Sequence, residues 1–442
     1  MANSYLSRSV SSAGNRKTFT LSAWVKRGII SSGEHNIFGN SDSGYNNGFV
    51  VKFNSSDQLR VIMQDSSNYE KKPNRLFRDP SGWYHLVIQV DTTQSTATDR
   101  VKIWVNGVQE TSFATDTMPS QNYDTHWNNT TQITTVGRAG NYNGDYYDGY
   151  ISHASNVDGA VVAPTVFGQT DSTSGIWKFK SPAGVTWGTN GFHLKFENSG
   201  NLGLDSSGQG NNFTTNGDLK QSLDTPSNVS TLFNTLFTKT SPATTNMGNT
   251  RIDQGSTAWK SRITTLGASS GKWYAEFKAG TIDSSNKYNQ FGVVHESILH
   301  AGNFSYVGES DFGWGLNWSG SVNHNGANIS GYTSFTTGDI IGVAMDLDNH
   351  KIYWRKNGDA WMNSGDPTSG STGTGAQSLD TGKNYFFAAS VYGNECFLNN
   401  GDGFFGTTAI TSAGSNGNGS LFEYDVPSGY YALNTKNLNT YG

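Results

Sequence analysis

The 442-residue chain is short of cysteine, proline, charge and long apolar runs. Its single cysteine, Cys396, allows no disulfide framework within the chain, so stability has to come from packing. No stretch approaches the roughly 20 apolar residues of a membrane span, so membrane insertion is not expected. Lys and Arg are outnumbered by Asp and Glu, for a net charge of −5, and no basic patch is present; nucleic acid is therefore not an expected partner. The opening MANSYLSRSVSSAGNRK carries no apolar run of the kind a secretory signal needs, so the expectation is folding in a cytoplasm. Charged residues make up only 15% while aromatics reach 13%, the reverse of a disordered composition.

Glycine, aromatics and polar turn formers are abundant instead. That combination reads as short strands joined by polar turns, with large rings filling thin cores. KTFTLSAWVKRG alternates, with Phe19, Leu21 and Ala23 on one side and Thr20, Ser22 and Trp24 on the other. In GWYHLVIQVD, Leu86, Ile88 and Val90 line one face, and Val101, Ile103 and Val105 of the next run can face them. Asn106-Gly107 then signals a two-residue hairpin, because a type I′ turn needs positive φ at both central positions. The same sentence recurs as GDIIGVAMDLDNHKIYWRKNG, ending at Asn357-Gly358. No long segment shows a helical period. The fold class expected is all-β, two tandem antiparallel β-sandwiches with almost no helix. The boundaries read as 1–168 for the first sandwich, 169–228 for a turn-rich connector supplying an edge strand through GFHLKFE, and 229–442 for the second with a C-terminal extension. Within the last, GDPTSGSTGTGAQS reads as a long loop.

The first half resembles the laminin-G/pentraxin branch of the concanavalin A-like sandwiches, on FTLSAWVKRG, GWYHLVIQVD, VKIWVNGV and YYDGYISHASNVDGAVVAP in order. The second resembles a SPRY domain, on SSGKWYAEFKAG, FGVV, FGWGLN, GDIIGVAMDLDNHKIYWRKNG and FFAASVYGNECFLNNGDGFF. Together with SYLSRSVSSAGNRKTFTLSAWVKRG, DSSGQGNNFT and VPSGYYALNTKNLN, the whole is similar to virion proteins of tailed, marine-type bacteriophages. That resemblance implies a protein of the virion surface, a tail fibre or fibre-like adhesin. Its partners would be other virion proteins, further copies of itself and a host-surface glycan or protein. A capsid-decorating or tail-packing role without a host ligand is the alternative.

Enzymatic chemistry is not expected. Concanavalin A-like glycosidases place paired carboxylates on one strand; Glu309-Ser310-Asp311 begins such a pattern, but the third acid is missing. The match to Gly-x-Ser-x-Gly at Gly267–Gly271 precedes a strand and not a helix, so it is no nucleophile elbow. Gly401–Gly406 matches a dinucleotide fingerprint outside any βαβ unit. No Cys/His cluster has zinc spacing. The oxygen-rich loops at Asn40, Asp42 and Asn46, and at Asp145 and Asp148, have the hard ligands calcium takes in laminin-G and pentraxin relatives, yet read more simply as solvated turns. No cofactor is expected.

Aromatic residues on loops are the remaining lead, since a sugar stacks its face on a ring and its hydroxyls bond to amide or carboxylate groups. GNYNGDYYDG gathers Tyr142, Asn143, Asp145, Tyr146 and Tyr147. SYVGESDFGWGLNWSGSVNHNG gathers Tyr306, Asp311, Trp318 and His324, with Trp314 as a core alternative. The strand tryptophans Trp24, Trp104, Trp273 and Trp354 read as core, and His85 as structural.

Overall fold

A computed structural model describes residues 3–238, 242–283, 287–300 and 304–442. The chain divides into two compact units, Met1–Gln221 and Ser222–Gly442. The turn-rich stretch 169–228 is shared between them at that boundary, and its first part is built into the first unit.

The first unit is a sandwich of an eight-stranded and a six-stranded antiparallel sheet. The six-stranded sheet runs Phe192–Leu194, Gly149–Asp158, Thr18–Arg27, Tyr84–Asp91, Val101–Val105, Val108–Gln109. Phe19, Leu21, Ala23 and Val25 point into the core with Leu86, Ile88, Val90, Val101, Ile103 and Val105, as the alternation requires. Register confirms the pairing: Leu86 lies opposite Val105, Ile88 opposite Ile103 and Val90 opposite Val101. GFHLKFE supplies the edge strand Phe192–Leu194, and Thr214–Asn216 closes one edge of the other sheet against Tyr5–Arg8. A separate hairpin, Gly168–Thr170 with Trp177–Phe179, covers the outer face of the six-stranded sheet through ring contacts to His85 and His153.

The second unit repeats the plan. One sheet orders Thr244–Asn246, Arg251–Asp253, Glu395–Asn399, Lys272–Ala279, Ile340–Asp346, Lys351–Lys356, Gln377–Ser378, with Tyr431–Ala432 joining Lys272–Ala279 in parallel. The other orders Trp259–Ile263, Tyr385–Tyr392, Tyr288–His295, Gly313–Asn317, Ser321–His324, Ala327–Ile329. Trp273, Phe277, Phe291, Trp314, Val343, Trp354 and Phe387 fill the core between them. The stretch read as a loop, 365–378, contains a 3₁₀ turn at Gly370–Thr372 and ends in the short edge strand Gln377–Ser378. The one α-helix among the described residues, Thr435–Tyr441, is capped by the Asn434 side chain accepting from the Asn437 N–H. Seven residues are too few to print a helical period, so the sequence reading found none.

The duplicated hairpin is the same device in both units. Asn106 and Asn357 sit at φ 50° and 48°, and Gly107 and Gly358 at φ 78° and 74°. Each asparagine Oδ1 accepts a backbone N–H, from His85 and from Ile340, both at 2.8 Å. A Cβ on Gly107 would run into the Trp177 ring, and one on Gly358 into Tyr424. In each case the segment that follows lays an aromatic ring across the turn.

Candidate functional site

In the first unit the tyrosine loop 142–147 is largely consumed by the fold. Tyr147 packs against the core, donates to the carbonyl of Lys26 at 3.1 Å, and burial raises its phenol far above the ordinary range. Asp145 pairs with Lys52 Nζ at 2.9 Å. Tyr142 packs edge-on against Tyr45 at 5.2 Å between ring centres. Tyr146 packs against Tyr5 at 6.0 Å and donates to Asn143 Oδ1 at 2.6 Å. No continuous platform results from these contacts. The oxygen-rich turns are likewise internally engaged: Asp42 accepts from the Asn46 N–H and the Asn47 amide, and Asp148 is buried. Among the described residues no group of three or more His, Cys, Asp or Glu side chains is arranged to hold a metal ion.

The outer face of the six-stranded sheet in the second unit is organised in three tiers, because side chains alternate along each strand and align across partners. Trp259, Tyr392 and Tyr288 are direct cross-strand partners on three adjacent strands. Below them, Ser261, Ser390 and Gln290 form a polar tier. Ser261 Oγ and Ser390 Oγ share a hydrogen bond of 2.8 Å; Ser261 also bonds to the carbonyl of Ser305 at 2.6 Å, and Ser390 Oγ accepts from the Val307 N–H at 2.9 Å. The third tier, Ile263, Ala388 and Gly292, is apolar, and Ile263 and Ala388, with Val294 one step beyond, are buried under Phe304, Val307 and Phe312. The segment around 304–312 therefore covers two tiers and stops at the first.

The first tier is extended at both ends by residues the sequence singled out. Anchoring of 305 and 307 places Tyr306 against Trp259 at 5.6 Å, and Trp318 stacks on Tyr288 at 5.0 Å with ring planes 10° apart. Between them Trp259 meets Tyr392 at 5.5 Å and Tyr392 meets Tyr288 at 5.4 Å. Trp259 also lies 6.3 Å from Tyr288, so the three strand rings close a compact triangle, and with Tyr306 and Trp318 they form one aromatic cluster whose members are all half-buried. An open hollow of about 300 Å³ is lined by Gln254, Lys287, Gly393 and Asn394 among others, and by none of the five rings.

Two other predicted residues lie elsewhere. His324 stacks on the buried Trp314 at 4.2 Å and bonds to the Gly313 carbonyl at 2.9 Å. Asp311 is exposed on the turn before Gly313–Asn317. Sequence reading missed Trp259, Tyr288 and Tyr392. Their alternation with core residues, as in Val391-Tyr392, marks them as outward-facing, but only strand order shows that they are neighbours. Among the strand tryptophans, Trp24, Trp273 and Trp354 are buried, whereas Trp104 is half-buried and donates its indole N–H to Gln89 Oε1 at 2.8 Å.

Comparison with known proteins agrees with this architecture. Residues 2–167 match a laminin-G family described as the concanavalin A-like lectin/glucanases superfamily, and residues 272–400 match the SPRY domain family. The chain therefore carries one domain of each kind, and both are commonly binding modules. Trp259 lies ahead of the matched SPRY region, on a strand the flanking segment adds. Among solved structures, the SPRY domain of human HERC1 aligns with 16% identity and a TM-score of 0.26, covering 34% of this chain and 87% of that one. Stonustoxin aligns with 17% identity and a TM-score of 0.29, covering 38% of this chain and 27% of that one. No curated protein sequence matches.

Proposed function

We propose that the protein is a non-enzymatic recognition protein on the surface of a bacteriophage particle, a tail-fibre-like adhesin that contacts a host-surface glycan or protein. The observation that carries the recognition reading is the cluster of five half-exposed rings on the outer face of the SPRY unit. Exposed aromatic clusters suit contact with a ligand, because they offer apolar area at small entropic cost while their polar tips stay wet. The absence of paired catalytic carboxylates in the sequence supports a binding role over hydrolysis, and Glu309 is tied to the backbone N–H of Ser305 at 2.6 Å. The phage assignment rests on the three stretches similar to virion proteins. Assembly with other virion proteins, and with further copies of the chain, belongs to the same proposal and would multiply weak contacts into avidity.

The test is binding of the full-length protein to intact host cells, with and without a chelator. Saturable binding that the chelator leaves unchanged is expected. No binding by a folded protein in its native oligomeric state would favour a capsid-decorating or tail-packing role.

A further inference from the structure

The hairpin over the first unit's six-stranded sheet belongs to neither sandwich sheet. Gly168–Thr170 pairs with Trp177–Phe179, and alternation sends Trp177 and Phe179 inward while Ile176, Lys178 and Lys180 stay exposed. Among the described residues, the backbone hydrogen bonds of 168–180 close within 167–180, as from the Asp171 N–H to the Ile176 carbonyl and from the Lys180 N–H to the Phe167 carbonyl. One hydrogen bond ties this piece to the sheet beneath: the Trp177 indole N–H donates to His85 Nδ1 at 3.0 Å. Packing adds to it. Phe179 lies flat on His153 with ring centres 3.6 Å apart, and Trp177 lies near-parallel to His85 at 6.0 Å.

Both histidines serve the hairpin as neutral rings. A protonated His85 carries a hydrogen on each nitrogen, so the Trp177 N–H loses its acceptor. The elements packed around His85 offer it no counter-charge: Ser22 Oγ lies at 2.9 Å, the Trp24 ring at 4.7 Å and the Phe167 ring at 6.4 Å, with His153 beyond. His153 faces Phe179, His193 Nε2 at 3.4 Å and the positive charge of Lys195. The carboxylate nearest the group is Asp205, which acts on His193 and already accepts the backbone N–H groups of His193 and Ser207. The hairpin's own Lys178 is held by Asp171 at 2.6 Å on the exposed side, and Lys180 donates to the Thr165 carbonyl at 3.1 Å. Burial without a compensating anion pushes His85 and His153 down to about 3.

We propose that the hairpin 168–179 is an acid-released latch, lifting as one piece when His85 and His153 take up protons and leaving the sandwich beneath it folded. The sandwich survives because its core, from Phe19 to Val25 and Leu86 to Val90, lies on the opposite face of the sheet. Linkage sets the sign and the steepness. Groups depressed in the closed state hold it closed above their ordinary value near 6.5 and release it as pH falls. Each histidine then drives opening tenfold per pH unit, and the pair about a hundredfold. His193, stacked on Trp187 outside the hairpin, is not released. Lifting uncovers the outer face around Ser22, Trp24 and His85, which is buried in the closed state. The latch concerns the first unit and does not depend on the aromatic cluster of the second.

The test follows the tryptophan indole N–H signals of the full-length protein by NMR as pH is lowered from neutral to about 4. The Trp177 signal should move to a solvent-exposed position below about pH 6, with the open-to-closed ratio rising about a hundredfold per pH unit. The core indole of Trp127, which donates to Asn156 Oδ1 at 3.1 Å, should stay in place. His85→Gln keeps an acceptor that does not titrate, and His153→Asn suits the φ of 49° at that position. Each should reduce the slope to about tenfold per pH unit, and the double variant should stay closed. Trp127 also reports whether each variant is folded, so a misfolded variant leaves the other to be read. A Trp177 signal that stays put throughout, or moves only together with Trp127, would overturn the proposal. So would an opening step with the wild-type slope in both single variants.

Discussion

The two units share a sandwich plan and a hairpin, yet the most strongly shifted of their buried histidines and carboxylates differ, histidines in the first and a glutamate in the second. Beneath its covering hairpin the first unit holds three histidines. His85 Nδ1 accepts from the Trp177 indole N–H at 3.0 Å, so its Nε2 carries the proton and faces Ser22 Oγ at 2.9 Å, which is the neutral ring. His153 sits at φ 49° where the strand register shifts, with Nδ1 3.4 Å from His193 Nε2. Burial, then neighbouring positive charge, pushes His85 and His153 down to about 3 and His193 to about 4. The second unit instead buries Glu276. It accepts from the Glu423 and Tyr424 N–H groups at 2.8 and 2.9 Å, from the Tyr274 hydroxyl at 3.1 Å and from Asn399 at 3.2 Å. Burial nonetheless pushes its pKa up to about 7. A shared fold therefore fixes the hairpin and the layers, while each unit's covering segment decides which groups lose water.

The largest expected effect follows from the signs. Histidines depressed in the folded state contribute stability above their ordinary value of 6.5 and lose it as pH falls toward 3. His85 alone is worth on the order of 5 kcal/mol over that range. Glu276, raised from 4.5 to about 7, works the other way, and its contribution is present below 4.5 and lost as pH rises to 7. His295, lowered by burial and by Lys383, offsets part of this, and in the first unit Asp148, raised by burial, offsets part of the histidines' effect. Calorimetry between pH 6.5 and 4.5 should show the first unit's transition falling while the second's holds or rises. Parallel shifts of both transitions would break the contrast.

Next in size, Glu276→Ala leaves four donors without their acceptor and should cost the second unit about 3 kcal/mol in urea unfolding, with the first unit's transition unmoved. Glu276→Gln should remove the second unit's pH response with a smaller loss. Gly107→Ala and Gly358→Ala should then each cost their own unit about 1–2 kcal/mol, through positive φ and the ring lying over the turn. A large effect in one unit and none in the other would show that the hairpins are not equivalent. Smallest is Asp145→Asn, which removes one partner of Lys52 and should cost about 1 kcal/mol, Glu34 remaining.

Most of the layer architecture is legible in the sequence, because the period of two in Phe19–Val25 and Leu86–Val90 prints the buried face directly. The hairpins are legible from Asn-Gly alone. The candidate site is only half legible. Tyr306 and Trp318 stand out as loop aromatics, but Trp259, Tyr392 and Tyr288 are far apart in the chain and become neighbours only through sheet order. In the tyrosine loop, composition shows the rings of Tyr142 and Tyr147 but not their contacts with Tyr45 and Lys26.

The most direct measurement is host-cell binding by two full-length variants side by side, Trp259→Ala with Tyr288→Ala in one and Tyr142→Ala with Tyr146→Ala in the other. Loss of binding in the first pair and retention in the second is the predicted result. Retention in the first and loss in the second would contradict the assignment of recognition to the aromatic cluster.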